Sequence, residues 1–370
     1  MKILYVINDI EFFISHRLPL AEYGVQKKHE VFVASNELPK VNIHGISFLK
    51  FHINRSSVGF MSNLNSLIQL FKIIKKVSPD IVHSVTLKSI LLSNLCLIFN
   101  RKIKRVNAVS GLGFLFTSER ISLAAIIIKS LFKMVNFLGK PYYIFQNKND
   151  LNEFIKLGVK ENFKLIKGSG VNHKEFIYSA PITKQKINIT FTGRILKDKG
   201  IVDLINAVEI LSKEIQTKVV LNIYGKIDLD NPAHITQKEL KKLLKPNLIM
   251  WHGNTNDVKN FLIKSDIYCL PSYREGLPKS IIEAMAIGRP IITTNAPGCD
   301  DTVEEGFNGF KVRVGDAQAI SKKLKELIEN KALRLKMGKK SRELFEKKFT
   351  LDKVIWETFS FYDQILKNEF

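Results

Sequence analysis

The chain has 370 residues, 45% of them apolar and 25% charged, which excludes a disordered polypeptide and leaves room for two hydrophobic cores. Three scattered cysteines without a C-x-x-C pair exclude a disulfide scaffold, and eight histidines show no metal-ligand spacing. The net charge of +22 lies mainly in the first half: residues 1–170 hold 24 Lys and Arg against 10 Asp and Glu, the remainder 33 against 25. Such a surplus attracts nucleic acid, anionic lipid or diphosphate substrates.

Lys2–Ile7 reads as a first strand. Its apolar core is too short for a secretory signal and no later run is long enough for a membrane span, so the expectation is a cytosolic protein. A loop over Asn8–Arg17 precedes a helix around Leu18–Gln26. Strands follow at Glu30–Ala34 and Ile46–Phe51, then a helix over Leu64–Val77. Further strands are expected at Asp80–Val85, Arg105–Val109 and Tyr142–Gln146, with helical stretches between them. Among these, Ser122–Leu138 confines Ser122, Lys129, Ser130, Lys133 and Asn136 to one narrow face, leaving a wide apolar one. That pattern suits a helix lying on a membrane surface or one wedged against a sheet.

The alternation predicts a parallel sheet covered by helices over residues 1–168, followed by a linker over 169–186. A second alternation runs over 187–350. Its strands are Ile187–Thr192, Val219–Tyr224, Leu248–Trp251, Ile267–Leu270, Ile291–Thr294 and Gly309–Val312. Helices fall around Gly200–Lys213, Gln237–Leu244, Val258–Lys264 and Ser280–Ile287. The pattern is helical from Asp316 onward, ending in a helix over 351–370. The fold class is α/β, two doubly wound Rossmann-like domains.

Asp266–Thr294 concentrates the chemistry. A short strand ends at Pro271-Ser272, a turn holds Glu275-Gly276-Leu277-Pro278, and a helix carries Glu283. In a parallel sheet such turns line the ligand crevice, where backbone N–H groups of Gly276 and Leu277 suit an anionic or hydroxyl-rich ligand. Glu283 lies within reach of a ribose diol. The same spacing also fits two solvent-facing glutamates near a helix start. Upstream, Gly193-Arg194-Ile195-Leu196-Lys197-Asp198-Lys199-Gly200 follows a strand, and Arg194 with Lys199 can neutralise a diphosphate. Taken alone, this is an ordinary basic surface turn.

The run L-P-S-Y-R-E-G-L-P-K-S-I-I-E-A-M-A-I-G-R-P-I, with its two glutamates, resembles the signature of the fourth family of retaining glycosyltransferases. The resemblance implies the GT-B fold: two Rossmann-like domains facing a cleft, with the last helix crossing back to the first domain. It implies that Glu275 and the amides of Gly276, Leu277 and Pro278 hold the donor sugar. Glu283 would hold the ribose, and Gly193, Arg194 and Lys199 the donor diphosphate. Metal and cofactor are not part of the family's reaction. Asp228-Leu229-Asp230, which matches the D-x-D metal motif of another glycosyltransferase architecture, is read as unrelated to metal.

The first loop lacks the Gly-Gly pair common in the family. F-F-I-S-H-R-L-P, D-I-V-H-S-V-T-L-K and V-S-G-L-G-F instead resemble the bacterial subgroup that adds GalNAc or a related sugar to undecaprenyl-diphosphate-linked sugars. From this follow His16 as a catalytic or sugar-contacting residue, and Arg17, His83, Lys88, Gly111 and Gly113 on the acceptor side. The implied partners are a nucleotide-sugar donor, a lipid-linked saccharide acceptor and the anionic inner face of the cell membrane, touched peripherally. A nucleotide-sugar epimerase on the same fold is the enzymatic alternative. The non-enzymatic alternative is a basic nucleic-acid-binding protein, for which the charge is the sole support because no nucleic-acid-binding motif is present.

Overall fold

The computed structural model describes residues 1–53, 60–112, 123–181, 186–216, 218–229, 231–255 and 257–368 (the side chains of residues 60 and 61 excepted). The chain forms two compact units, one of Met1–Ser169 with Val354–Phe370, the other of Gly170–Lys353.

The first unit is built on a seven-stranded parallel sheet: β1 (Lys2–Val6), β2 (Glu30–Ser35), β3 (Ile46–Lys50), β4 (Ile81–Val85), β5 (Lys104–Val109), β6 (Tyr142–Phe145) and β7 (Phe163–Leu165). Their order is β3-β2-β1-β4-β5-β6-β7. The strand order reverses beside β1, so the carboxyl ends of β1 and β4 border a topological switch point, where sheets of this kind bind ligands. β4 is buried along its whole length, as expected for a central parallel strand covered on both faces.

The stretch expected as a loop, Asn8–Arg17, instead folds into helix α1 (Ile10–His16). Asp9 caps it, accepting the N–H groups of Glu11 and Phe12 at 2.9 and 3.1 Å, while Ile10 and Phe13 turn inward. Helices α2 (Leu18–Gln26), α3 (Phe60–Val77), α4 (Leu87–Cys96), α5 (Leu123–Gly139) and α6 (Lys148–Ile155) follow. Leu4, Val6, Leu70, Ile74 and Leu92 form one core cluster; Val109, Phe132, Tyr143, Phe145 and Phe154 form another.

Helix α5 buries one residue of its polar face and exposes part of its apolar one. Asn136, assigned to the polar face, is buried: it donates to the Leu157 carbonyl at 2.9 Å and accepts from Tyr143 Oη at 2.7 Å. Leu123, Ile126, Ile127, Met134, Phe137 and Leu138 are exposed instead. They recur at i, i+3, i+4 and i+7, so they share one stripe. Ser122 lies outside the described residues.

The second unit holds a six-stranded parallel sheet of β8 (Lys186–Thr192), β9 (Lys218–Tyr224), β10 (Ile249–Trp251), β11 (Ile267–Leu270), β12 (Ile291–Thr294) and β13 (Gly309–Val312). The order is β10-β9-β8-β11-β12-β13, with its own switch point between β8 and β11. Ile189, Leu221, Ile267 and Ile291 are fully buried in its core, each worth about 1.5–3 kcal/mol. The helices are α7 (Ile201–Glu214), α8 (Gln237–Leu243), α9 (Val258–Ile263), α10 (Lys279–Ile287), α11 (Ala317–Glu329) and α12 (Lys331–Lys348).

The segment expected as a linker joins this unit from Gly170. Val171 and Phe176 lie in its core, and Val171 bonds to the strand-like end of α12 through Phe349 O at 3.2 Å and Leu351 N at 2.9 Å. Two apolar side chains in a polar stretch are enough to tie it down. The last helix, α13 (Leu351–Leu366), begins in the second unit and belongs to the first from Val354. Within the first unit it packs on α2: the Tyr23 and Phe359 rings lie 4.9 Å apart.

Candidate active site

Four loops at the carboxyl ends of β8, β9, β11 and β12 assemble the second-unit site. Gly193 ends β8 and Gly225 ends β9; a Cβ on Gly225 would lie 1.7 Å from the Gly193 carbonyl oxygen. The close approach therefore requires glycine at 225. Beyond it, Arg194 Nη1 meets Asp228 Oδ2 at 2.6 Å. Asp230 lies outside the described residues.

The short 3-10 turn Lys197–Lys199 ends in Gly200, whose left-handed φ of +69° and approach to the Pro271 carbonyl again admit no side chain. Asp198 O accepts from Tyr273 N at 2.8 Å and from Ser272 Oγ at 3.1 Å, which ties this turn to the end of β11. The consequence is that Lys199 Nζ and Glu275 Oε1, distant in sequence, form an ion pair. Both side chains keep only a small exposed fraction, 17% and 13%. The Asp198 carboxyl stands above its ordinary range: desolvation raises it most and Glu275 adds to this, while Lys199 and Arg194 pull it down. Arg194, Asp198, Lys199 and Glu275 thus share one electrostatic field.

Glu275 is positioned through its backbone, whose N–H donates to Pro297 O at 3.0 Å. Gly276, Leu277 and Pro278 are buried, with the Leu277 side chain in the core, so these residues offer their backbone rather than their side chains. Pro278 caps α10 as its N-cap residue. Glu283 lies inside α10, largely buried, with Lys279 Nζ at 3.5 Å. Desolvation raises its carboxyl, and Lys279 offsets part of that. The arrangement offers two cations, two hydroxyl-accepting carboxylates and a strand-to-helix turn, a set suited to a phosphorylated, hydroxyl-rich ligand.

In the first unit, His16 ends α1, stacks on Phe12 with 4.1 Å between ring centres, and lies 2.7 Å from Ser15 Oγ through Nδ1. Arg17 is buried and donates to Ser110 Oγ at 3.2 Å; desolvation lowers its pKa. His83 is not on the crevice side: it is 1% exposed, and its Nδ1 lies 2.5 Å from Tyr362 Oη of α13. Burial, then Arg17, holds it well below the usual histidine range. The alternation of a central strand sends His83 toward α13, where the sequence offered no warning of a partner 279 residues away. Lys88 sits half-buried in the first turn of α4, with desolvation lowering its amine. Gly111 follows β5, and Gly113 lies outside the described residues.

Sequence reasoning missed Gly225, and it gave Asp228 no role toward Arg194. The G-K-I-D stretch after a strand was the available signal for both.

Residues 172–344 match the family described as glycosyl transferases group 1, and residues 2–138 the family described as glycosyl transferase 4-like. The chain is 25% identical to the N,N'-diacetylbacillosaminyl-diphospho-undecaprenol alpha-1,3-N-acetylgalactosaminyltransferase of Campylobacter jejuni, covering 96% of this chain and 99% of that one. It is 27% identical to the capsular polysaccharide biosynthesis glycosyltransferase CapM of Staphylococcus aureus, over 96% of each chain. A crystal structure of a glycosyltransferase from Rickettsia africae superposes with a TM-score of 0.79 at 21% identity, over 99% of both chains. The chain is a glycosyltransferase of the GT-B fold, matching the glycosyl transferase 4-like family in its first part and the group 1 family in its second.

Proposed function

We propose that the protein transfers a sugar, an N-acetylhexosamine such as GalNAc, from a UDP donor to a lipid-diphosphate-linked saccharide during bacterial surface-glycan synthesis, with retention at the anomeric carbon. The observation that carries this reading is the Arg194, Lys199 and Glu275 cluster at the β8/β11 switch point. Names of full-length relatives that act on a diphospho-undecaprenol sugar and in capsule synthesis support the acceptor class.

In this reading Arg194 and Lys199 neutralise the diphosphate as the glycosidic bond breaks, so charge developing on the leaving group meets cations already in place. They serve where other glycosyltransferases use a divalent ion. Glu275 holds sugar hydroxyls and does not act as a general acid. Glu283 holds the ribose. The leaving diphosphate assists the acceptor's attack from the same face. Helix α5 rests on the anionic membrane surface, where the acceptor's lipid is anchored, with its apolar stripe inserted.

Incubation with labelled nucleotide sugars and a polyprenyl-diphosphate-linked saccharide tests the reading. Transfer with an α-linked product, unaffected by chelator, is expected. A β-linked product would sink retention, and activity restored only by a divalent ion would sink metal independence. Isomerisation of the donor without acceptor would identify an epimerase.

A further inference from the structure

Asp228 opens the D-L-D stretch, to which the transfer reaction described above gives no part. Its carboxylate nevertheless has a defined place: Oδ2 accepts from Arg194 Nη1 at 2.6 Å, and the side chain is 13% exposed against 36% for Arg194. Ion pairs near a surface usually add little stability, because two long side chains must be held in one geometry. Here one partner is short and its backbone is fixed, so the pair costs little ordering beyond that of Arg194 itself.

Several bonds fix that backbone. Beyond β8 and β9 the two chains stay side by side, with Gly193 N donating to Tyr224 O at 2.9 Å and Ile195 N to Lys226 O at 3.0 Å. Ile195 and Ile227 form a further parallel bridge. The loop after β9 then folds back: Asn231 N donates to Asp228 O at 3.1 Å, His234 N to Asn231 O at 3.0 Å, and Leu196 pairs antiparallel with His234. Lys197 N donates to Ala233 O at 2.8 Å. Ile195, Leu196 and Ile235 are buried, and Thr236 ends the loop as the capping-box residue of α8. The segment carrying Arg194 is thus bonded both to the approach to Asp228 and to the return from it.

The contact uses Nη1 alone, and the guanidinium makes no other hydrogen bond among the described residues. A planar fork held at one end still presents donors to phosphate oxygens. Arg194 also acts on the Asp198 carboxyl together with Lys199 and Glu275, so the held guanidinium belongs to the field of that cluster.

We propose that Asp228 is a positioning residue for the donor diphosphate: carried on the braced loop after β9, it holds Arg194 by one nitrogen, so that the rest of the fork meets the phosphates already ordered. That the anion is the donor's diphosphate rests on the functional reading above. A carboxylate this close to an anion site would weaken anion binding if it only competed for Arg194, so the sign of its effect separates the two roles.

The test is a double-mutant cycle on the full-length protein, read as the Kd of UDP by titration calorimetry, with Tm as the check on folding. Arg194→Ala and Asp228→Ala are each expected to weaken UDP binding about tenfold, and the double variant no more than Arg194→Ala alone. The donor KM should rise in the same proportion. Unchanged or tighter UDP binding by Asp228→Ala would overturn the proposal and make the carboxylate a bystander or a competitor. An equal loss with and without Arg194 would overturn it too, since the effect would not run through the guanidinium. If Arg194→Ala itself leaves UDP binding unchanged, the functional reading of the cluster fails and takes the proposal with it, a result distinct from the other two. Should Asp228→Ala not fold, Asp228→Asn replaces it in the cycle, because it keeps the size and an acceptor oxygen. About a threefold loss that disappears without Arg194 is then expected, and unchanged or tighter binding would overturn the proposal.

Discussion

Lys199 meets Glu275 and Arg194 meets Asp228, so a donor diphosphate reaching these cations competes with carboxylates already beside them. Removing a cation or the Glu275 carboxylate should therefore weaken the transition state more than the fold, because none of these side chains packs in the core. Arg194→Ala and Glu275→Gln are each expected to lower transfer by about 2–4 kcal/mol, or roughly 30- to 1000-fold, with the circular dichroism spectrum unchanged. Near-wild-type turnover would remove these residues from the site. His83 carries a different prediction. Its folded pKa is depressed, so the unfolded chain binds the extra proton and stability must fall as pH drops below the free histidine value. Between pH 7 and pH 5 stability should therefore fall as the unfolded chain takes up its proton. Urea unfolding of wild type and His83→Gln at both pH values should show that difference vanish in the variant. Glu275, Glu283, Arg194 and Lys199 were legible in the sequence because their motif is local. Gly225 and the Arg194 partner were not, since their reasons lie in contacts between separate strand ends.

Most strands and long helices were legible, because buried parallel strands and amphipathic helices write their periods directly into the chain. Helix α1 was missed for its length: seven residues give hardly two turns of periodicity, and Asp9 as its cap was the better signal. Helix α5 was found, but its orientation was left open. Its period showed which residues share a face, not which face meets the sheet, and the hydrogen bonds of Asn136 decided that. Its outward stripe now makes a sharper prediction than the sequence did. Ile127→Glu and Phe137→Glu alter exposed positions, so both should fold with wild-type Tm and lose binding to anionic vesicles in a flotation assay. Wild-type binding should weaken as salt rises, since lysines near the surface contribute about 1 kcal/mol each. Among the described residues no helix is long and apolar enough to cross a membrane. Unaltered vesicle binding by both variants would leave α5 without this role.

Both sheets, the two-unit plan and the first boundary, expected at 168 and found at Ser169, followed from the alternation of elements, while the linker expected over 169–186 did not, because Val171 and Phe176 insert into the second core from a stretch of polar composition. The first unit is discontinuous: residues 354–370 complete it after the entire second unit has intervened. Phe359, Phe361, Tyr362 and Ile365 are buried there, so a chain ending at Lys353 should leave their counterparts on α2 and β1 bare. Such a truncation is expected to expose apolar surface, read as dye binding and rapid proteolysis within residues 1–169, while 170–353 stays resistant. Protease resistance throughout would show that the last helix is dispensable. During synthesis the order of events is then fixed by the ribosome. The second unit can close while the first is still waiting, and Tyr362, the partner of His83, leaves the exit tunnel only after the whole of the second unit. The first unit is thus completed after the second, so a nascent chain stalled before Val354 would expose its unfinished core and be a client for chaperones.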